Sequence, residues 1–424
     1  MLSINCDKIT LGNGLNVIFH EDHNLPFVAV NIWYHVGSKN EIPGRTGFAH
    51  LFEHLMFEGS KNHDRDYFEP LQKVGASING STTHDRTNYW ENVPSNHLEL
   101  ALWLESDRMG FLLDALDQKR FDIQRDVVKN ERRQSYENRP YGNSQLMIQP
   151  ALFPSPHPYS WSVIGSQEDL DAAQLDDVKD FFRKFYSPSN ASLAIAGDFD
   201  RSQVEQFIDL YFSNIPSGEP ISRIGRMDSS LTGEVSITVY DNVHLPRLYI
   251  AWPTCPMFDD HEAGLVVLGD ILGGGKSSRL YQKLVYEKQI ANDVSVGNFS
   301  QEISGEFYIQ VTLRSGHSIE EVEELVHAEI AQLKDQGVTD REISRAKNSI
   351  ESEHISQLEH LGGFGGRADQ LNYYNVFAGN PDLINYDLER YLALDDHDIT
   401  LIAGEYLNDN KVRLEVVPEK STVS

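Results

Sequence analysis

A chain of 424 residues is long enough for two to three domains, each with its own core. Its 64 acidic and 36 basic residues leave a formal net charge of −28, which argues against nucleic-acid binding and for either cationic partners or a generally acidic surface. No apolar run is long enough to span a membrane, and the first residues lack the basic and apolar regions of a leader, so a cytoplasmic location is expected unless a leader has been removed.

In chain order, residues 8–11, an Asn13-Gly14 turn and residues 15–19 predict a β-hairpin. Residues 27–36 alternate as a strand. From Thr46 to Gly59 the period becomes helical: Phe48, Leu51, Phe52, Leu55 and Met56 share one apolar stripe, and His50, Glu53, His54 and Phe57 lie opposite. With Thr46 as N-cap and Gly59 as stop, such a helix holds His50 and His54 one turn apart, able to bind one metal ion. Two histidines at this spacing alone could equally be solvated polar residues. Glu53 tips the balance, because a carboxylate beside metal-activated water is the general base of a metal hydrolase, and His-x-x-Glu-His is the inverzincin order.

A short helix near 66–74, strands over 76–82 and 86–93, and long helices over 95–115 and 118–137 follow, the last ended by Pro140. A helix near 176–186, a strand over 191–196 and a helix over 201–212 close the first half. The second half repeats the plan weakly: the run from Asp177 through Asn190 into Leu193 has a counterpart from Asp398 through Asn410 into Leu414, and residues 8–11 correspond to 236–239. The expected fold is therefore α+β, with two homologous roll-like domains at 1–220 and 230–424, each a mainly antiparallel sheet packed with helices. The Ser318-x-x-Glu321 and Thr339-x-x-Glu342 pairs predict capping boxes.

Other motifs carry less. Gly273-Gly274-Gly275-Lys276-Ser277 lacks the glycine a phosphate loop needs, having Asp270 there, and the glycines at 362–366 read as a hinge or a substrate-proximal loop. His261-Glu262 lacks a second histidine at metal spacing, His63, His84 and His157 read as solvated loop residues, and Tyr373-Tyr374 as core. Cys6 and Cys255 read as reduced thiols.

Glu131 follows His54 by 77 positions in the context Asn130-Glu131-Arg132-Arg133. With His50, Glu53 and His54, this pattern resembles the pitrilysin, insulysin and mitochondrial processing peptidase family over essentially the whole chain, in its short bacterial-type form bearing the zinc site. The resemblance implies that His50, His54 and Glu131 ligate Zn2+, that Glu53 is the catalytic base, and that Asn79 and Gly80 lie on an edge strand that binds an extended peptide. An enclosed chamber between paired roll domains, selecting unfolded peptides by size, is also implied. Two departures stand out. Gln124 occupies a position near the ligands where relatives commonly carry Glu, and Val285 and Asn292 match an Arg and a Tyr that help hold the developing oxyanion. The expected protein is a zinc-dependent endopeptidase cleaving unfolded oligopeptides, the zinc-bearing half of a heterodimer rather than a homodimer, whose partner supplies the Arg/Tyr pair. The alternatives are a non-catalytic structural or assembly subunit of the same family and, more remotely, an unrelated zinc hydrolase.

Overall fold

The computed structural model describes residues 3–419. The first half contains β1 (Asp7–Thr10), β2 (Asn16–Glu21), β3 (Phe27–Tyr34), α1 (Phe48–Leu55), α2 (Phe68–Lys73), β4 (Ser77–Thr82), β5 (Thr87–Pro94), α3 (Leu98–Ala115), α4 (Gln118–Arg132), α5 (Ser144–Leu152), α6 (Gln167–Ala172), α7 (Leu175–Phe185), β6 (Ala191–Gly197) and α8 (Arg201–Phe212). The second contains β7 (Val235–Asp241), β8 (Arg247–Thr254), α9 (Glu262–Gly273), β9 (Ala291–Ser300), β10 (Gly305–Leu313), α10 (Ile319–Gln336), α11 (Asp340–Glu359), α12 (Arg367–Ala378), α13 (Leu388–Ala393), α14 (Asp396–Tyr406) and β11 (Val412–Pro418).

Among the described residues the strands form two sheets, β1-β2-β6-β3-β5-β4 and β7-β11-β8-β10-β9. Each has one parallel pair, β2 with β6 and β7 with β11, followed by antiparallel pairing onward, so the fold is α+β and the two sheets share one plan. The helix-to-strand passages α7 to β6 and α14 to β11 carry the repeat seen in the sequence. The strand correspondence needs correcting: β7 takes the place of β2, since both run parallel to the strand after the repeat helix, and residues 8–11 belong to the extra hairpin strand β1.

Contacts divide the chain into two compact units that are not contiguous. The first runs through Arg132 and adds Trp161–Arg223 and Glu353–Asp387; the second takes Arg133–Ser160, Ile224–Ser352 and the chain from Leu388. Two segments therefore lie across the 220–230 division suggested by the sequence. Side-chain chemistry explains both crossings. In the first unit, β3 is buried on both faces: Val28, Val30, Ile32 and Tyr34 meet apolar neighbours, whereas Asn31 and Trp33 face α12. There Asp369 accepts hydrogen bonds from Trp33 Nε1 (2.9 Å), Asn31 Nδ2 (3.2 Å) and Asn88 Nδ2 (3.1 Å), and Asn372 Nδ2 donates to the Asn31 carbonyl (2.8 Å). In the second unit, Ile148, Leu152 and Phe153 from α5 and its exit pack with Ala251, Leu414 and Val416. The main core of that unit fills the other face of its sheet, where Phe307, Ile309 and Val311 meet α9 and α10.

One of the two predicted capping boxes closes, Thr339 and Glu342 exchanging bonds at 3.3 and 2.8 Å; at the other, Ser318 Oγ accepts from Glu321 N (3.2 Å) while the Glu321 carboxylate stands 3.1 Å from His317 Nδ1. The helix that carries the histidines is capped differently from expectation. Its N-cap is Gly47 at φ 89°, and the Glu41 carboxylate accepts from Gly47 N (2.9 Å) and Ala49 N (2.8 Å), leaving the Thr46 hydroxyl to donate to Asp169 (2.6 Å). The carboxyl brings two acceptor oxygens to the free helix N–H groups where a hydroxyl brings one, even though burial pushes its pKa up to about 8. α1 ends at Leu55 rather than near Gly59, because Phe57 N and Glu58 N bond back three residues, to His54 O (3.1 Å) and Leu55 O (3.1 Å), tightening the last turn.

Beneath this helix lies a buried ionic cluster. Arg108 Nε donates to Glu105 Oε2 (2.9 Å) and its Nη2 to Glu91 Oε1 (3.2 Å), all three side chains fully buried, with Tyr67 Oη donating to Glu91 (2.8 Å). The guanidinium stacks over Tyr67, Tyr89 and Phe57 at 4.1, 4.3 and 5.6 Å. Burial, and then the charge of Glu105, push the Glu91 carboxyl well above the carboxylate range, as one cation cannot neutralise two carboxylates.

Candidate metal centre

α1 buries its apolar stripe, with Phe48, Leu51, Phe52, Leu55 and Met56 at most 2% exposed, which turns His50, Glu53 and His54 the other way. α4 supplies Glu131 from the facing side. Glu131 Oε2 lies 3.7 Å from His50 Nε2 and 3.4 Å from His54 Nε2, and one ligand atom from each of the three falls within 4.8 Å of the others. Tetrahedral zinc with bonds of about 2.0–2.1 Å sets its ligand atoms roughly 3.4 Å apart, so the donor spacing fits the ion.

Protonation suits a cation as well. Burial, reinforced by neighbouring His54, holds His50 well below the ordinary histidine range, keeping an imidazole lone pair free. The hydrogen bond with His54 holds Glu131 below its ordinary value, so it is an anion. Imidazole nitrogens and a carboxylate are a donor set that zinc takes. Among the described residues His50 Nδ1 is buried without a hydrogen-bond partner, whereas a ligating histidine is usually oriented by an acceptor there.

Glu53 lies one residue before His54, and burial pushes its carboxyl up, against the pull of a hydrogen bond from Thr82 Oγ1 (2.7 Å). A carboxylate with raised proton affinity beside a metal site can accept and return a proton. Glu53, His54 and Asn79 line a cavity of about 550 Å³ together with Phe57, Glu58, Asp66, Phe68 and Gln124.

Asn79 and Gly80 sit on β4, which among the described residues pairs with β5 alone and forms one edge of the first sheet. Asn79 is exposed, its Oδ1 accepting from Gly80 N (2.9 Å). Gly80 faces inward, where a Cβ would meet the Phe57 ring at 3.1 Å, so its backbone is what it can offer a ligand. Gln124 donates to Glu58 Oε1 (2.6 Å) and to none of the three converging residues. Thr82 and Glu58 were missed by sequence reasoning; strand alternation over 77–82 sets Thr82 on the face opposite Asn79 and could have found it.

In the second unit, Val285 is partly buried against the core and Asn292 is exposed on β9. Arg279 and Tyr286 also stand seven apart, but Arg279 grips Glu342 through Nε (2.6 Å) and Nη2 (2.9 Å). His84 and His157 correct the expectation of solvated histidines. His84 Nδ1 bonds Ser38 Oγ (2.6 Å), and His157, 3% exposed, bonds Met227 O through Nε2 (2.9 Å) and Tyr159 N through Nδ1 (3.0 Å). His63 is half-buried, its Nε2 3.2 Å from Asp66 O. Tyr374 is buried, as expected of core, and among the described residues no helix is long and apolar enough to cross a membrane.

The profile of the family described as Insulinase (Peptidase family M16) matches residues 16–151, and that of the Peptidase M16 inactive domain matches residues 172–350. Over 413 residues the chain is 28% identical to a Helicobacter pylori protein named zinc protease PqqE, covering 96% of this chain and 91% of the relative. It is 21% identical over 423 residues to a probable mitochondrial-processing peptidase subunit beta of Arabidopsis thaliana, covering 96% and 77%. Among solved structures, a protease from Helicobacter pylori superposes with TM-score 0.90 at 26% identity over 98% of this chain and all of the other. A Pseudomonas fluorescens structure described as a peptidase M16 inactive domain shares the fold, with TM-score 0.86 at 19% identity over 99% and 100% of the two chains.

Proposed function

The chain belongs to the insulinase family, peptidase family M16, and on that footing we propose that it is a zinc-dependent endopeptidase of unfolded oligopeptides, the zinc-bearing subunit of a heterodimer. The observation that carries this reading is the convergence of His50 Nε2, His54 Nε2 and Glu131 Oε2 beside Glu53. A zinc ion held by these three residues supplies a Lewis acid and acidifies water toward neutrality. Glu53 takes the proton of the attacking water and delivers it to the leaving amine, while the Thr82 hydroxyl fixes the carboxylate's orientation. The substrate adds to β4 as a further strand, held through its main chain at Asn79 and Gly80. Main-chain pairing demands an extended peptide and reads little of its side chains, hence the preference for unfolded segments. The oxyanion contacts missing at Val285 and Asn292 come from a homologous partner without the zinc motif; a named subunit among the relatives supports this. A cytoplasmic location belongs to the same reading.

The test is cleavage of an internally quenched peptide of about ten residues by the zinc-loaded chain, alone and with a homologous partner. Zinc at one per chain and a rate that the partner raises about 100- to 1,000-fold are expected, matching the loss of an oxyanion donor. Full activity without a partner rules out the shared site, and absence of bound zinc rules out the metal reading. The second reading, a non-catalytic assembly subunit, draws on Val285, Asn292 and Gln124 and predicts no cleavage under any pairing.

A further inference from the structure

The second sheet has a cavity of its own. Along β10, Phe307, Ile309 and Val311 enter the core, so Glu306, Tyr308 and Gln310 occupy the opposite face. On that face, β8 and β9 flank β10, and α5 contributes Gln145 as a wall. They enclose about 340 Å³, lined by Glu306, Tyr308, Tyr249, Phe299 and Gln310 among others. The volume is at the lower end for ligand pockets, about 300–1,000 Å³, enough for one long side chain. Gly297 stands across from Tyr308, and a Cβ there would lie 3.1 Å from the Tyr308 hydroxyl oxygen, so the missing side chain keeps that ring in place.

The lining is chemically one-sided. It holds a carboxylate and three aromatic rings, and no Lys, Arg or His. Glu306 accepts one long hydrogen bond, from Gln145 Nε2 at 3.4 Å, and has no ion pair among the described residues. Arg247 donates to Tyr249 Oη (3.2 Å) but is not part of the lining, its guanidinium lying over Tyr141 at 3.7 Å. The cavity walls strip water from Glu306 and push its carboxyl up to about 7. A partly desolvated carboxyl without a counter-charge, ringed by aromatic faces, is complementary to a cation, whose charge would draw it into its ionised form.

We propose that this cavity binds a guanidinium or ammonium group of a peptide, with Glu306 as counter-ion and Tyr308, Tyr249 and Phe299 as cation–π walls. The peptide as the source of that cation rests on the peptidase reading; the charge pairing does not. The net charge of −28 favours such ligands at long range.

The experiment measures binding, not cleavage, using the full zinc-loaded chain carrying Glu53→Gln so that peptides stay intact. A short peptide with a central arginine is compared by calorimetry with the same peptide carrying citrulline, and with arginine amide alone. The arginine peptide is expected to bind at least about ten-fold more tightly than its citrulline form, and Glu306→Gln, with zinc content and melting unchanged, to erase the difference. Phe299→Ala, on the exposed rim, is expected to weaken the arginine peptide by about two- to five-fold. Arginine amide competing for the site places recognition in the side chain alone; amide that does not bind while the peptide does assigns part of it to the peptide main chain. Equal affinity for arginine and citrulline peptides, or discrimination that survives Glu306→Gln, overturns the proposal whether or not the chain proves to be a peptidase.

Discussion

At the scale of residues, the groups proposed for catalysis and those that hold the site in place make separable predictions. Glu53→Gln keeps the shape and the hydrogen bond acceptor of the side chain but cannot shuttle a proton. It is expected to retain zinc while losing about 100- to 10,000-fold in kcat, measured on the quenched peptide; an active variant removes Glu53 from the mechanism. Thr82→Val is expected to cost about ten-fold in kcat/KM, since it removes the hydroxyl that donates to Glu53 (2.7 Å). Retained activity would make Thr82 a bystander. Deeper down, Arg108→Met strands Glu91 and Glu105 without their cation and is expected to cost about 3–5 kcal/mol in urea unfolding. Adding Glu91→Gln and Glu105→Gln should restore much of that loss, because no buried carboxyl is then left that needs the lost cation. The histidines and Glu53 were legible because their spacing is set within one helix. Glu131 was legible only through resemblance, and Thr82, Glu58 and the Arg108 cluster were not, since their roles arise from contacts between separate elements.

At the scale of elements, period and punctuation located α1, α4, α8, β4, β5 and β6 to within a few residues, except that the helical pattern over 118–137 leaves the α-helix at Arg132. The terminus of α1 escaped because its cap is a carboxylate six residues before the helix N-cap, outside any local signature. His157 shows the same limit, for a loop histidine looks solvated until its neighbours are known. Its two bonds require the neutral ring, Nδ1 accepting from Tyr159 N and Nε2 donating to Met227 O. Burial holds its pKa below the usual 6.5, so between the two values the unfolded chain binds more protons than the folded one. The stability it contributes is therefore complete above about 6.5 and is lost as pH falls through the folded value. The wild-type melting temperature is expected to fall more between about pH 7.5 and pH 5 than that of His157→Gln. Parallel pH slopes for the two proteins would contradict this.

At the scale of the whole molecule, two sheets of one plan exchange a segment each: the first half lends 133–160 to the second unit, and the second half lends 353–387 to the first. A chain cut near 223 is therefore expected to give halves that do not fold separately. The first would expose Asn31, Trp33 and Asn88 without Asp369 and carry α5 with no sheet to cover. Co-expression of 1–223 with 224–424 should restore zinc binding, whereas a first half that melts cooperatively alone would show the exchange to be dispensable. The sequence by itself determined the helix bearing His50, Glu53 and His54, the strands of the first half and the repeat, because these follow from periods along one chain, and its resemblance to known peptidases pointed to the family. Only the tertiary structure decided which strand answers to which, how α12 and α5 are traded, which partner each buried polar group finds, and that Glu306 faces a cavity without a cation. Such facts depend on groups far apart in sequence meeting in space, and no local pattern encodes the meeting.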